Sequence, residues 1–371
     1  MAYQTIVVGS GILGLAAAYL AAKSGDRVLV VEAEDRPVHS SIMNFGHACF
    51  TGQADVVQSV AEESRNGWLS AARDANFWVA ESGTWVPAAT ELEMAVLEEF
   101  AAHRGDQQVK LVTGAAVAES IGNPGLEAVG GAHLPWDMRV NPREAAPRIA
   151  QALEGMGVDF RWNTRVTGAR DGVVATTRGD FEGERVIVCP GDQLMDLFPE
   201  VAQRHAVRIC TLAMALVAKP DAIPADLAML TGTSLCRYDG FAAMPSVPAL
   251  REELAAREPE LVGSIANLMA TSIPEGLLVG DSHDYALSPV PFIEENVADL
   301  LLSKSAEYLG IDRPNVLQRW MGHYADSADT NLIVEQVDAK TTVLVVTSGI
   351  GMTLSFGVAA VALRGETVDN F

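Results

Sequence analysis

A short β-branched run at residues 5–8 leads into a glycine loop, and an Ala-rich stretch continues to about residue 23. Gly25 and Asp26 then turn the chain into a second apolar run, 27–31, that stops at Glu32. This order predicts a βαβ unit, whose right-handed crossover makes the two strands parallel neighbours with the glycine loop at their carboxyl ends. Helical spacing covers 55–80, with Val56, Val60 and Trp68 among the apolar positions, and 91–103 after the turn at 83–87. Pro142 heads a helix at 142–153, a strand follows at 158–162, and 165–177 and 181–189 alternate as strands. Residues 205–241 read as mostly strand broken by prolines, with helices at 248–256 and 294–309. The last quarter gives a strand at 342–347, a Gly-rich turn, and an apolar helix at 353–363.

At 371 residues the chain exceeds one typical domain, and 49% hydrophobic residues suffice for a sizeable core. No repeat or low-complexity linker separates two blocks. The terminal segments are therefore expected to share one domain, interleaved with a second. The net charge of −22 argues against nucleic acid and anionic membranes as partners, because both select clustered Lys and Arg. No apolar run is long enough for a membrane span, and the apolar start at 6–8 lacks a basic leader, so a cytoplasmic protein is expected. Cys49, Cys189, Cys210 and Cys236 form no CxxC pair, and the seven histidines show no metal-ligand spacing. No metal is expected.

Two glycine motifs carry the chemistry. In Gly9-Ser10-Gly11-Ile12-Leu13-Gly14, Gly9 permits the tight turn, Gly11 admits a pyrophosphate to the backbone, and Gly14 lets helix and strand pack. Glu32, eighteen residues beyond Gly14, is placed to accept hydrogen bonds from a ribose. This motif says dinucleotide without separating FAD from NAD. The second, Ser348-Gly349-Ile350-Gly351-Met352-Thr353, again joins a strand to a helix. A helix N-terminus has free N–H donors and about half a positive charge, which suits an anionic ring such as reduced flavin. A simple NAD dehydrogenase has no use for it, so the pair points to FAD. A strand entering Cys189-Pro190-Gly191-Asp192 is a third element of the type that closes nucleotide sites.

These features resemble the D-amino-acid oxidase and glycine oxidase superfamily of FAD enzymes. Ser41-Ile42-Met43-Asn44-Phe45-Gly46 with Thr51-Gly52-Gln53, the run from Arg237-Tyr238 to Met244-Pro245, Asp281-Ser282-His283-Asp284-Tyr285, Trp320-Met321-Gly322-His323-Tyr324, and the run from Gly351-Met352 to Phe356-Gly357 resemble a phosphonate-associated branch. The resemblance implies an α/β fold, with a Rossmann-type FAD-binding domain (1–75, 140–200 and 325–371) interleaved with an α+β, mixed-sheet substrate domain (76–139 and 201–324), glycine oxidase-like. It implies non-covalent FAD, although His39 and His47 lie in the region where some relatives attach flavin. It also implies oxidative deamination of a small aminophosphonate, by hydride transfer to flavin N5 giving an imine and then an aldehyde, with oxygen or another acceptor closing the cycle. A secondary-amine or amino-acid oxidase of the same fold, and a non-catalytic flavin-binding subunit, are the alternatives. Oligomeric state stays open. Two departures from the branch stand out: Met43 replaces its usual Arg, and His47 its usual apolar residue. His323-Tyr324 stands where glycine oxidase relatives carry a carboxylate-binding Arg.

The expected cofactor contacts are Gly9, Gly11, Ile12, Leu13, Gly14, Glu32, Ala33, Ser40, Ser41, Asn44, Gly46, Val166, Pro190, Gly191, Gly349, Ile350, Gly351, Met352 and Thr353. Amine oxidation needs the neutral amine, yet an alkylammonium with pKa near 10.4 is neutral only about one part in 10³ at pH 7, a penalty of roughly 4–5 kcal/mol. Desolvation or an imidazole acceptor reduces it. His47 and His283, with Tyr324, are the catalytic candidates; Arg237, Tyr238, Ser282, His323 and Met43 are the substrate-binding ones. Arg237 offers the two-pronged guanidinium a phosphonate prefers, and Arg319 is a weaker choice.

Overall fold

The computed structural model describes residues 3–366, so the ends of the expected domain division, 1–2 and 367–371, lie outside the described residues. The first strand, Tyr3–Val8, pairs in parallel with Val28–Val31 on one side and with Phe181–Val188 on the other. Asp159–Arg161 extends one edge in parallel and Thr341–Val346 the other. Leu332–Gln336 adds an antiparallel edge strand. Val8, Val31 and Val188 sit side by side, so the chain leaves the sheet at Gly9, Glu32 and Cys189 along one carboxyl edge. In an open α/β sheet that edge is where ligands bind.

Helix Ile12–Lys23 is almost wholly buried, because small Ala side chains let it sit between the sheet and two further helices, Pro142–Gly155 and Gly351–Leu363. Its approach depends on Gly14, where a Cβ would lie 2.0 Å from the Gly9 carbonyl oxygen. The closing helix Gly351–Leu363 packs on Gln58–Ala75 by the same device. A Cβ on Gly67 would meet the Phe356 Cβ at 2.5 Å, and one on Gly357 would meet the Val60 carbonyl oxygen at 2.1 Å. Trp68, fully buried, donates from Nε1 to the Met352 carbonyl at 2.7 Å, which fixes the start of that helix.

Among the described residues a second sheet has nine strands. Its spine, Arg208–Val217, is buried from Ile209 on and pairs antiparallel with Gly276–Gly280, Asp284–Ala286 and the long Val316–Asp326. A third, small sheet joins His47–Ala48, Met138–Val140 and Val79–Ala80.

Three sequence expectations need correction. The helix expected at 55–80 ends at Ala75, because Asn76 takes a left-handed conformation (φ 50°) and the chain then enters Val79–Ala80. The strand expected across 165–177 is a hairpin, Val166–Arg170 with Val173–Thr176, turned at Asp171 and Gly172, both with positive φ. In 205–241 the strand content is confined to Arg208–Val217 and Ala228–Met229. Reciprocal capping by Thr231 and Ser234 starts the short helix Gly232–Leu235, and Asp239–Ala242 is helical too.

Gly14→Ala is expected to abolish soluble, folded protein or its cofactor content. Gly155→Ala, in open space near a helix end, is expected to be neutral or to stabilise by about 0.5–1 kcal/mol. Thermal melts and visible absorption of the two purified variants check this, and a normally loaded, stable Gly14→Ala protein contradicts the packing described.

Candidate active site

A cavity of about 480 Å³ runs along the carboxyl edge of the parallel sheet. Gly9, Gly11, Ile12, Leu13, Gly14, Glu32, Ala33, Ser40, Ser41, Asn44, Val166, Pro190, Gly191, Gly349, Gly351 and Met352 line it. The backbone there is closely fitted: Gly9 has φ 96°, and a Cβ on it would lie 2.5 Å from the Cys189 carbonyl oxygen. Glu32 accepts from the backbone N–H of Ser10 at 2.6 Å and of Glu34 at 3.0 Å. An ionised carboxylate has about four acceptor positions, so capacity for ribose hydroxyls remains. Ser41 accepts from the Ile12 N–H at 2.8 Å, tying the following loop to the helix start. Asn44 braces that loop, donating to the Ser40 carbonyl at 2.8 Å and accepting from the Gly46 N–H at 2.7 Å. No side chain caps the helix that begins at Gly351. A cavity of this size, walled both by Cβ-free backbone of the first glycine loop and by an uncapped helix start, fits FAD.

Three expected cofactor residues stand apart from this lining: Gly46, Thr353 and Ile350, the last of which borders the neighbouring cavity. Gly46 (φ 63°) is needed for backbone packing, since a Cβ there would lie 2.0 Å from the Val140 carbonyl oxygen. Thr353 faces away and accepts from the Cys49 N–H at 3.2 Å.

A smaller cavity, about 160 Å³, adjoins the first. Ser40, Asn44, Tyr324, Gly349 and Met352 line both. Ile350 borders the smaller cavity, as do Met43, His47, Arg237, Tyr238, His283 and His323. Gly349 (φ 72°) faces the Tyr324 ring, which a Cβ would approach to 3.1 Å. Ser282 does not line the cavity. It lies between Asp281 and His283, which do, and is less buried than either. Arg319 is also outside, paired at the surface with Glu295 at 2.8 Å and Asp299 at 3.5 Å.

Arg237 donates from Nη2 to the Tyr324 hydroxyl at 2.8 Å and from Nη1 to the Tyr285 hydroxyl at 3.2 Å. Burial works against its charge, yet beside the Tyr324 and Tyr285 hydroxyls that accept from it and the Asp281 carboxyl the guanidinium stays above its usual pKa. Burial raises the Tyr324 phenol well above its ordinary value despite Arg237, so it stays protonated and serves as a hydroxyl, not a base. His283 accepts no proton readily: burial and then Arg237 bring it down to about 3. Its Nδ1 lies 2.8 Å from the Ile265 carbonyl, which assigns the proton to Nδ1 and the lone pair to Nε2. His47 is buried with Nε2 2.7 Å from the Thr84 hydroxyl and 3.8 Å from Asp137. Burial lowers its pKa against Asp137, and Arg139 lowers it further. His47, Cys49 and Asp137 offer ligand atoms within 4.8 Å of one another, brought together from separate segments. The Cys49 thiol is pushed well above its usual pKa by burial and Asp137.

Sequence reasoning passed over Asp281. It is buried on the cavity wall, and burial, opposed by Arg237, pushes its carboxyl up to about 7. The signal was present in the alternation Asp281, His283, Tyr285.

The two adjoining cavities define a nucleotide-dependent enzyme with a small buried reaction chamber. The sequence profile of the family described as FAD dependent oxidoreductase (DAO) matches residues 4–363, and the chain belongs to that family. A search of curated protein sequences gives no match. Among solved structures, glycine oxidase from Geobacillus kaustophilus is similar with TM-score 0.79 and 18% identity, covering 99% of this chain and 95% of that one. L-proline dehydrogenase from P. horikoshii is similar with TM-score 0.77 and 16% identity over 99% and 94% of the two chains. Iminodiacetate oxidase from Chelativorans sp. BNC1 gives TM-score 0.73 and 15% identity over 99% and 96%. These likenesses establish the fold, and the family establishes an FAD-dependent oxidoreductase. No helix among the described residues is long and apolar enough to cross a membrane.

A carboxyl whose pKa is higher folded than unfolded disfavours the folded state once ionised. With Asp281 at about 7 against 3.8 for the free side chain, its contribution to stability falls as pH rises between these values and levels off above the upper one. Flavin-free Asp281→Asn protein is therefore expected to gain melting temperature over the parent at pH 8, with a smaller gap at pH 5. A pH-independent gap contradicts the assignment.

Proposed function

We propose that the protein oxidises the C–N bond of a small aminophosphonate, 2-aminoethylphosphonate or its N-methyl form, to an imine that hydrolyses to the aldehyde. The observation that carries this reading is Arg237. It is the sole Arg or Lys among the described residues lining the smaller cavity, and Tyr285 and Tyr324 hold its guanidinium. A half-buried guanidinium on a cavity wall calls for an anion, and a tetrahedral one can bond to both of its prongs. His323 and Tyr324 stand where a carboxylate clamp is expected in amino-acid oxidases, which favours a different anionic group or a different arrangement for it. That the similar structures include a glycine oxidase, a proline dehydrogenase and an iminodiacetate oxidase supports an amine as the other half of the substrate.

Bound FAD supplies the acceptor for the hydride leaving the carbon next to nitrogen. Gly9, Gly11 and Gly14 with Glu32 would hold its nucleotide end without a covalent link, and Gly349, Gly351 and Met352 its ring. On this reading residues 1–75, 140–200 and 325–371 form the FAD-binding domain, and 76–139 and 201–324 cover the substrate. The chain's own part is positioning: Arg237 orients the anion, while Leu212, Met214 and Met43 exclude water from the reacting carbon. Oxygen or another acceptor would take the electrons from the reduced cofactor.

Anaerobic mixing with 2-aminoethylphosphonate, its N-methyl form, glycine and sarcosine tests this. The aminophosphonates are expected to bleach the flavin, and Arg237→Met is expected to raise their KM about 10²-fold, the loss of roughly 2–3 kcal/mol in charge-assisted hydrogen bonds. Bleaching by glycine or sarcosine alone assigns an amino-acid or secondary-amine oxidase instead. Flavin that no amine reduces assigns a non-catalytic flavin-binding subunit.

A further inference from the structure

We infer that Asp281 takes the proton from the substrate ammonium, with neutral His283 beside it as a hydrogen-bond acceptor. This rests on the amine-oxidising reading above. Asp281 lines the smaller cavity at 5% exposure, and its Oδ1 is buried without a hydrogen-bond partner. Its Oδ2 lies 3.9 Å from His283 Nε2. The backbone is held from both sides, since the Asp281 N–H donates to the Asn267 carbonyl at 3.2 Å and the Asn267 N–H returns a bond at 3.0 Å. A buried carboxylate oxygen with no donor is costly until a cation or N–H reaches it. An alkylammonium entering the cavity brings three donors and a compensating charge.

The groups facing Asp281 fix what it can do. Arg237 is the nearby cation: one donor of Nη1 and one of Nη2 go to Tyr285 and Tyr324, and its other N–H groups are left for the substrate anion. Tyr238 and Cys210 are neutral, because burial raises both above their usual pKa. His283 presents a lone pair at Nε2, since its proton faces Ile265. Burial raises Asp281 to about 7 and lowers His283 to about 3, so the carboxylate is much the stronger base of the pair. A proton acceptor titrating near the working pH combines availability with driving force. In the step itself one N–H bond of the ammonium breaks, its electron pair stays on nitrogen, and an O–H bond forms on Asp281. Ammonium and carboxylate become amine and acid, and no electrons leave the pair. The freed lone pair is what the departing hydride requires.

The test uses FAD-loaded parent, Asp281→Asn and Asp281→Glu, mixed anaerobically with 2-aminoethylphosphonate, glycine or sarcosine between about pH 6 and about pH 10, the range spanning both the acid and the amine. The parent's limiting rate of flavin reduction is expected to climb with pH and level off above about 7. Asp281→Asn is expected to lose about 10²-fold at pH 7 and to recover toward the parent near pH 10, where the substrate arrives neutral. Asp281→Glu is expected to retain the plateau. Independently of turnover, infrared titration of the substrate-free holoenzyme should show a protonated-carboxyl band that disappears near neutral pH and is missing in Asp281→Asn. A loss in Asp281→Asn that is equal at every pH, or the same infrared band in both proteins, overturns the assignment. Flavin that none of these amines reduces at any pH overturns the amine reading, and this inference with it.

Discussion

The arrangement depends on how closely backbone approaches backbone at the carboxyl edge of the parallel sheet. Gly14 stands where a Cβ would lie 2.0 Å from the Gly9 carbonyl oxygen, and Gly9 where one would lie 2.5 Å from that of Cys189. These contacts bring the first helix and the Phe181–Val188 strand onto the same loop. The cavity that follows is a product of the packing, since side chains at these positions would force the elements apart. The wall around the second glycine turn is governed in the same way: Gly67 and Gly357 let two helices touch, and Trp68 anchors the Met352 carbonyl so that the Gly349 turn faces Tyr324.

Where the two cavities meet, electrostatics replaces sterics as the deciding factor. A half-buried guanidinium and a buried carboxylate share a small volume, and the imidazoles of His47 and His283 are held neutral by burial. Such a chamber is unfavourable to either lone charge and favourable to a molecule carrying both signs. The acidic surface implied by a net charge of −22 is screened over roughly 8–10 Å in cell-like salt, so the chamber sets its own preference.

Much of this was legible along the chain because it rests on local signals. The βαβ unit and both glycine turns are patterns of neighbouring residues, and the structure places both turns on the wall of one cavity. The remainder depends on contacts between distant segments. Gly46 reads as a cofactor glycine in the sequence, while in the structure the carbonyl of Val140, ninety-odd residues later, leaves no room for a side chain there. Arg237 and Arg319 both stand beside an aromatic residue, and it is long-range pairing that buries one near Tyr324 and leaves the other with Glu295 at the surface. Asp281 was hidden because its pKa comes from burial at the end of a strand. Its alternation with His283 and Tyr285 was the available clue.

The central claim is that an anion held by Arg237 sits against the flavin where Tyr324 and Gly349 border both cavities. It is tested most directly by titrating the FAD-loaded protein with methylphosphonate, which carries the anion but no amine to oxidise, while following the flavin absorption spectrum. The account predicts a saturable spectral shift in the parent that Arg237→Met abolishes. An unchanged spectrum in the parent, or an equal shift in both proteins, contradicts it.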